Sequence, residues 1–349
     1  MQIGVFMKKV TIQDIADSLG VSRTTVWKVF SGKEGVSEEL KDRIITKALE
    51  MDYLLPEGIE PLRHSEKRSA DKPLNIALAV SRPETSIFWM TIIHQIAKEF
   101  SDQNVNLVYT YLPSRVDKDY VLPLSLTNGT THGMIVMNVY NQQLLKLLSD
   151  CNIPKVFFDT AVSVPASELN GDVILMENYN SVFTLTEHLI DKGVKSFGFI
   201  GDIDYAKSNY ERYEGFLKAL YVHRLPVDHK QILTGSIGED SYKEEIESFL
   251  DTLSSMPQAF VCASDYVACI LISSLMKLNI RVPQDILVTG FDDNIENPIA
   301  EDLTTVHVYN QDIGLRLALQ ILYRIHYPDM PYEMSYVETK VIYRNTSGD

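Results

Sequence analysis

Thr11-Ile-Gln-Asp-Ile-Ala-Asp-Ser-Leu-Gly-Val-Ser-Arg-Thr-Thr-Val26 decides how the first part of the chain folds. Ile12, Ile15, Ala16 and Leu19 recur at helical spacing and mark one apolar face. Thr11 is placed to cap that helix, and Asp14 favours its positive end. Gly20 suits the turn that stops it. Ser22 then caps a second helix, with Val26, Val29 and Phe30 on its buried side. Arg23, Thr24, Trp27, Lys28 and Ser31 fall on its open side. A third helix follows Ser37 and carries Leu40, Ile44, Ala48 and Met51 along one face. Two short helices across a tight turn, then a packing helix, predict a helix-turn-helix over residues 8–57.

The charge divides along the chain. Of 32 Lys+Arg and 47 Asp+Glu, residues 1–72 hold 12 of each, so the remainder carries the whole net charge of −15. An acidic body of this kind repels phosphates, so any nucleic-acid contact belongs to a local face of the neutral N-terminal part. The 349 residues are 45% apolar and 23% charged, which excludes a disordered or collagen-like chain. No apolar run is long enough for a membrane span, and residues 1–9 lack a secretory core, so the cytoplasm is the expected location. Met7 is an alternative start. Cys151, Cys262 and Cys269 are expected as reduced thiols, since three sparse cysteines fit neither a disulfide framework nor a zinc site.

From Leu74 onward, β-branched runs such as Asn75–Val80, Gly133–Asn138, Asp172–Met176 and Gln258–Ala263 alternate with amphipathic stretches such as Ser86–Asp102, Tyr179–Lys192, Tyr210–His223 and Gln311–His326. This pattern predicts a doubly wound parallel α/β architecture. About 275 residues exceed one comfortable core, so two lobes are expected.

The N-terminal stretch, with Gly35-Val-Ser37 and Met51-Asp-Tyr53, resembles the headpiece of the LacI-type bacterial repressors. Further blocks of that family follow in order: Glu187-His-Leu-Ile-Asp-Lys-Gly-Val, Phe197-Gly-Phe-Ile-Gly201, Arg212-Tyr-Glu-Gly-Phe216, Phe260-Val-Cys-Ala-Ser-Asp265, Arg281-Val-Pro-Gln-Asp285, Gly290-Phe-Asp-Asp293 and Leu303-Thr-Thr-Val306. The resemblance implies an all-α helix-turn-helix headpiece and a periplasmic-binding-protein-like core of two lobes joined by three crossovers. It places the linker at 58–73, the first lobe at 74–170 plus 308–336, and the second at 171–307 plus 337–349.

The same resemblance assigns roles. Arg23, Thr24 and Lys28 occupy base-facing positions, where arginine suits guanine and threonine can meet a thymine methyl. Thr11, Ser22 and Thr25 would approach phosphates near helix N-termini. Trp27 stands where the family usually has serine, and could either face the groove or cover the helix; Phe30 stands where a smaller aliphatic is common. Leu62 falls where relatives wedge a leucine into the minor groove. Gly58 and Pro61 oppose a helix there, leaving an ordinary flexible linker as the alternative.

In the core, the implied effector pocket contains Phe88, Trp89, Asp159, Ser208, Arg212, Ile237, Ser264 and Asp292. Carboxylates and a guanidinium suit vicinal hydroxyls, and the two aromatics could stack on a pyranose face. The alternative is that these groups make structural ion pairs and core packing. Ser264 replaces a usual asparagine, and Ile237 stands where some relatives have tryptophan. No phosphate-binding glycine loop, nucleophile elbow or metal-ligand spacing occurs, so neither enzyme activity nor a cofactor or metal is expected.

These readings predict a homodimeric repressor of double-stranded operator DNA, controlled by a sugar and paired through helices such as Ser86–Asp102 and Tyr266–Leu278. The alternatives are the same scaffold answering to a metabolite such as a purine, or a solute-binding protein without regulatory DNA binding.

Overall fold

Helices α1 (Ile12–Leu19), α2 (Arg23–Phe30) and α3 (Glu38–Glu50) bury Ile15, Ala16, Val26, Val29, Phe30, Ile44, Ile45 and Ala48 against one another. The computed structural model describes residues 10–51, 53, 55–56, 73–81, 86–235, 237, 241–294 and 298–349, with main chain only at 38, 39, 42, 49 and 50. The chain divides into two units, Met1–Lys72 and Pro73–Asp349. Leu62 and the expected linker up to residue 72 lie outside the described residues.

Local chemistry sets each end of the first two helices. Thr11 and Asp14 form a reciprocal capping box, with the Thr11 amide donating to Asp14 Oδ2 at 2.8 Å. Gly20 takes the left-handed conformation, φ 66°, that closes α1. Ser22 Oγ accepts the Thr25 amide at 3.1 Å and caps α2. Phe30 belongs to the core, where its ring stacks on Tyr53 at 5.3 Å between centroids.

The second unit is α/β. Its elements run β1 (Leu74–Val80), α4 (Ile87–Ser101), β2 (Val105–Tyr111), α5 (Leu124–Thr127), β3 (Gly133–Met137), α6 (Gln142–Ser149), β4 (Lys155–Phe158) and β5 (Asp172–Met176). There follow α7 (Tyr179–Asp191), β6 (Phe197–Ile200), α8 (Lys207–Val222), β7 (Ile232–Leu233), α9 (Tyr242–Thr252), β8 (Ala259–Cys262), α10 (Asp265–Lys277) and β9 (Leu287–Thr289). The last are β10 (Thr305–Val308), α11 (Asn310–His326), β11 (Met334–Val337) and β12 (Thr339–Ile342).

Two parallel sheets result, in the orders β11-β5-β4-β3-β1-β2 and β7-β6-β8-β9. Strands β3, β4 and β5 are buried along their whole length, as helices on both faces require. The chain passes from the first sheet to the second after β5, returns between β10 and α11, and passes again between β11 and β12. Strands β10 and β12 pair antiparallel, from Thr305 with Ile342 to Val308 with Thr339.

One expected boundary is corrected. The segment from 171 was assigned to the second lobe, yet β5 lies between β4 and β11 in the first sheet, and Val337 closes the β11 register against Met176. The physical reason is that β5 carries a continuous apolar run that needs neighbours on both sides, so the crossover comes after it. Helix α8 begins three residues before its expected start, which brings Ser208 and Arg212 into its first two turns. It packs tightly on α7, since a Cβ at Gly215 would collide with the Tyr179 carbonyl oxygen. Among the described residues no helix is long and apolar enough to cross a membrane. The three cysteines are free thiols; Cys262 and Cys269 are buried and Cys151 is half-buried.

Candidate functional site

Helix α2 presents Arg23, Thr24 and Trp27 to solvent, with Thr25 and Lys28 half-buried beside them. Trp27 is 50% exposed. Ser22 and Thr25 share a hydroxyl–hydroxyl bond of 2.8 Å at the N-terminus of α2. Thr11 holds the same position on α1. The capped N-termini of α1 and α2 and the exposed polar face of α2 lie on elements whose opposite sides are consumed by packing.

The second unit holds a cavity of about 700 Å³ between its two sheets, within the usual size range for small-molecule sites. Sheet order explains its place. Strand β1 has β2 on one side and β3 on the other, and β6 has β7 on one side and β8 on the other. Each sheet thus reverses its winding direction at one point, where the carboxyl ends of adjacent strands leave a crevice. Ser81 follows β1, Gly201 and Asp202 follow β6, and Ala263 and Ser264 follow β8; all five line the cavity.

Of the expected effector residues, Phe88, Trp89, Asp159, Ser208, Arg212, Ser264 and Asp292 line this cavity together. Ile237 does not. It is 5% exposed, and its contribution is the main-chain amide, which donates to Asp202 Oδ2 at 3.1 Å. Through its main chain Ile237 therefore holds a lining residue, Asp202.

The carboxylates differ. Asp159 leaves β4 with a left-handed backbone, φ 62°. Its oxygens accept from the Thr160 amide at 2.8 Å, Ser208 Oγ at 2.7 Å, the Ser208 amide at 3.3 Å and the Tyr140 hydroxyl at 3.1 Å. Burial still raises its pKa against those bonds and the nearby Arg212. Asp159 thereby ties the first lobe to α8 of the second. The neighbouring main chain continues that seam: Lys207 donates to the Thr160 carbonyl at 2.8 Å, Val162 donates to the Tyr205 carbonyl at 3.0 Å, and Tyr140 meets Tyr205 edge-on at 4.9 Å.

Asp292 also has a positive φ, 116°, a conformation that non-glycine residues adopt at a cost. Its carboxylate faces the Arg212 guanidinium at 3.6 Å. Burial pushes the Asp292 carboxyl up to about 6, with Arg212 pulling the other way. Behind it, Asp265 is pushed up to about 8 by burial and by the charge of Asp292. Arg212 is itself well occupied. Its Nε donates to Asn178 Oδ1 at 3.0 Å, Nη1 donates to the Ala263 carbonyl, and the guanidinium lies 3.6 Å from the Phe291 ring centroid.

Tyr140, Tyr205, Tyr242 and Tyr266 complete an aromatic and hydroxyl-rich lining that motif reading did not identify. Ser81 and Asp202 were missed as well. Their signal is positional: both come directly after strands that flank a winding reversal.

A helix-turn-helix joined in one chain to a two-lobed core with a polar interlobe cavity defines a ligand-controlled DNA-binding regulator. Residues 11–55 match the family of bacterial regulatory proteins of lacI type, and residues 186–347 match the periplasmic binding protein-like domain; together they span more than half of the chain. The chain thus joins a helix-turn-helix domain of the lacI family of bacterial regulatory proteins to a periplasmic-binding-protein-like domain. It is 27% identical to the HTH-type transcriptional repressor PurR of Actinobacillus pleuropneumoniae serotype 3 (strain JL03), over 94% of this chain and 95% of that protein. Its fold is similar to that of the transcriptional regulator CelR in complex with cellobiose, at 20% identity and a TM-score of 0.67 over 97% of this chain and 100% of the other. The lac repressor dimer bound to operator and the anti-inducer ONPF is similar at 20% identity, with a TM-score of 0.67 over 97% of this chain and 99% of the other.

Proposed function

We propose that this regulator is a cytoplasmic homodimeric repressor whose effector is an uncharged, polyhydroxylated molecule, a sugar. The observation that carries this reading is the balance of groups around the cavity. Asp159, Asp202 and Asp292 line it, with serine and tyrosine hydroxyls between them. The lining cation, Arg212, is already engaged by Asn178, Ala263 and Asp292. Such a wall accepts hydrogen bonds from hydroxyls and repels phosphate or carboxylate. Trp89, set edge-on to Phe88 and Phe158, offers a rigid apolar face for a sugar ring.

In this reading Phe88, Trp89, Asp159, Ser208, Arg212, Ser264 and Asp292 form the effector site. Arg23, Thr24 and Lys28 read bases, while Thr11, Ser22 and Thr25 bind phosphates. Exposed Ile87 and Met90 on α4 and Met276 on α10 provide apolar faces for pairing of subunits. The protein binds its effector without turning it over.

A second reading, a purine effector, is favoured by relatives named PurR at 27–28% identity. Calorimetry of the full chain with common mono- and disaccharides and with adenine, guanine and hypoxanthine separates the two. Heat from a sugar alone supports the proposal, and heat from a base alone overturns it. In parallel, Arg23→Ala is expected to cost about 1–3 kcal/mol on the operator and to relax preference at one base pair. A gel-shift series with unchanged affinity and unchanged base preference would remove Arg23 from the readout.

A further inference from the structure

We propose that Glu211 is a positioning residue for Arg212, acting through Asn178 and itself held from the first lobe by Tyr336. Neither Glu211 nor Asn178 lines the cavity, and both are buried. Arg212 Nε donates to Asn178 Oδ1 at 3.0 Å. The other end of that amide, Nδ2, donates to the Met176 carbonyl at 2.7 Å and to Glu211 Oε2 at 3.1 Å. The second Glu211 oxygen, Oε1, accepts the Tyr336 hydroxyl at 2.8 Å and faces the Lys207 ammonium at 3.0 Å. Hydrogen bonds therefore lead from an exposed tyrosine, through Glu211 and Asn178, to the guanidinium in the cleft.

Hydrogen-bond polarity makes the order of these groups matter. A guanidinium only donates, so it needs the oxygen end of the Asn178 amide. A carbonyl oxygen and an ionised carboxylate only accept, so on Nδ2 they fix which end of the amide turns to Arg212. Asn178 lies on the crossover that follows β5, and Tyr336 lies on β11, the outermost strand of the first sheet, just before the crossover to β12. Glu211 and Arg212 are neighbours on α8 of the second lobe. The aim of a cleft side chain thus depends on a bond made between the lobes, outside the cleft. The inference rests on the reading of Arg212 as an effector residue, and it adds residues that reading does not use.

The test uses the full chain, with Tyr336→Phe and Glu211→Gln. Phenylalanine keeps the ring and removes the hydroxyl; glutamine keeps the size and can donate to Asn178, which lets the amide turn over. The first readout needs no ligand. It is the rate at which the Arg212 Nε–H proton exchanges with water, followed by heteronuclear NMR. Arg212→Ala identifies the signal, and Arg324, bonded to Asp172 at 2.6 and 3.0 Å, is the control. Exchange at Arg212 is expected to quicken about three- to tenfold in both variants, as loss of one hydrogen bond implies, while Arg324 keeps its wild-type rate. A residue with only a structural role would lower Tm and leave the Arg212 rate unchanged, which overturns the inference. The second readout is calorimetry with glucose, ribose, cellobiose, lactose, adenine and hypoxanthine. Whichever probe binds the wild type should bind both variants about three- to tenfold more weakly, and affinities within twofold overturn the inference. Binding of bases alone would defeat the sugar reading while leaving Glu211 to be judged by the same ratios. Equal binding by Arg212→Ala and wild type would defeat the effector role of Arg212, and the exchange rates would then decide its positioning. They decide it likewise if no probe binds.

Discussion

Two buried arginine–aspartate pairs sit in the same core and do different work. At the start of β5, Asp172 meets Arg324 of α11 at 2.6 and 3.0 Å, and both side chains are almost fully buried. Gln320 and the Glu333 amide satisfy the remaining carboxylate positions, and carbonyls of Met330 and Pro331 take the other guanidinium protons. In the cleft, Asp292 meets Arg212 once, at 3.6 Å, and 22% of its side chain is exposed. The first pair is saturated and sealed; the second leaves acceptor capacity turned toward a cavity. Burial and opposite charge are common to both pairs; the completeness of the bonding around them is what differs.

The largest expected effect is on the sealed pair. Arg324→Ala strands a buried carboxylate and should cost about 3–5 kcal/mol of stability, measured by denaturant unfolding. Ligand affinity of the folded protein should stay as in wild type. Next, Arg212→Ala should weaken effector binding by about 2–5 kcal/mol in calorimetry while operator binding without ligand persists. If it instead lowered only stability, as Arg324→Ala does, the contrast between the pairs would collapse.

The smallest effect sharpens the role of Asp292. Its carboxyl is held at about 6, above its ordinary 3.8, so the folded protein binds that proton more readily than the unfolded chain does. Its contribution to stability is therefore greatest below pH 4 and declines as pH rises through 6. Affinity for a hydroxyl ligand runs oppositely, because the ionised carboxylate is the better acceptor. Below pH 6 affinity should fall by up to about tenfold per unit. Asp292→Asn should flatten both profiles, and a wild-type profile that is already flat between pH 5 and 7 would remove Asp292 from ligand contact.

The DNA-reading unit was legible because its determinants are local. Thr11 and Asp14 are three residues apart, as are Ser22 and Thr25, and the buried faces follow one helical period. The strands and helices of the core were legible for the same reason. What escaped notice is set by sheet order. Ser81, Asp202 and Tyr205 converge only after β1 is placed next to β3, and β6 next to β8. Asp172 finds Arg324 across 152 residues of chain. Strands β11 and β12 lack an apolar run, being half-buried or exposed along their length, so nothing in their composition marks them as crossovers. Ile237 reaches the cavity wall only indirectly, because its main-chain amide holds Asp202, a contact that side-chain identity does not encode.

The seam from Asp159 to Ser208 has a consequence for how such a molecule can diversify. Two of its bonds, from Val162 to Tyr205 and from Lys207 to Thr160, join main chain to main chain. Amino-acid replacement cannot delete them, except by proline at a donor. The cavity wall is built largely from side chains, among them Ser81, Trp89, Ser264 and Asp292 on other segments. Part of what joins the lobes thus lies in the main chain, whereas the cavity wall is made mostly by side chains. A lineage could exchange one small molecule for another by a few replacements while the lobes continued to meet in the same register.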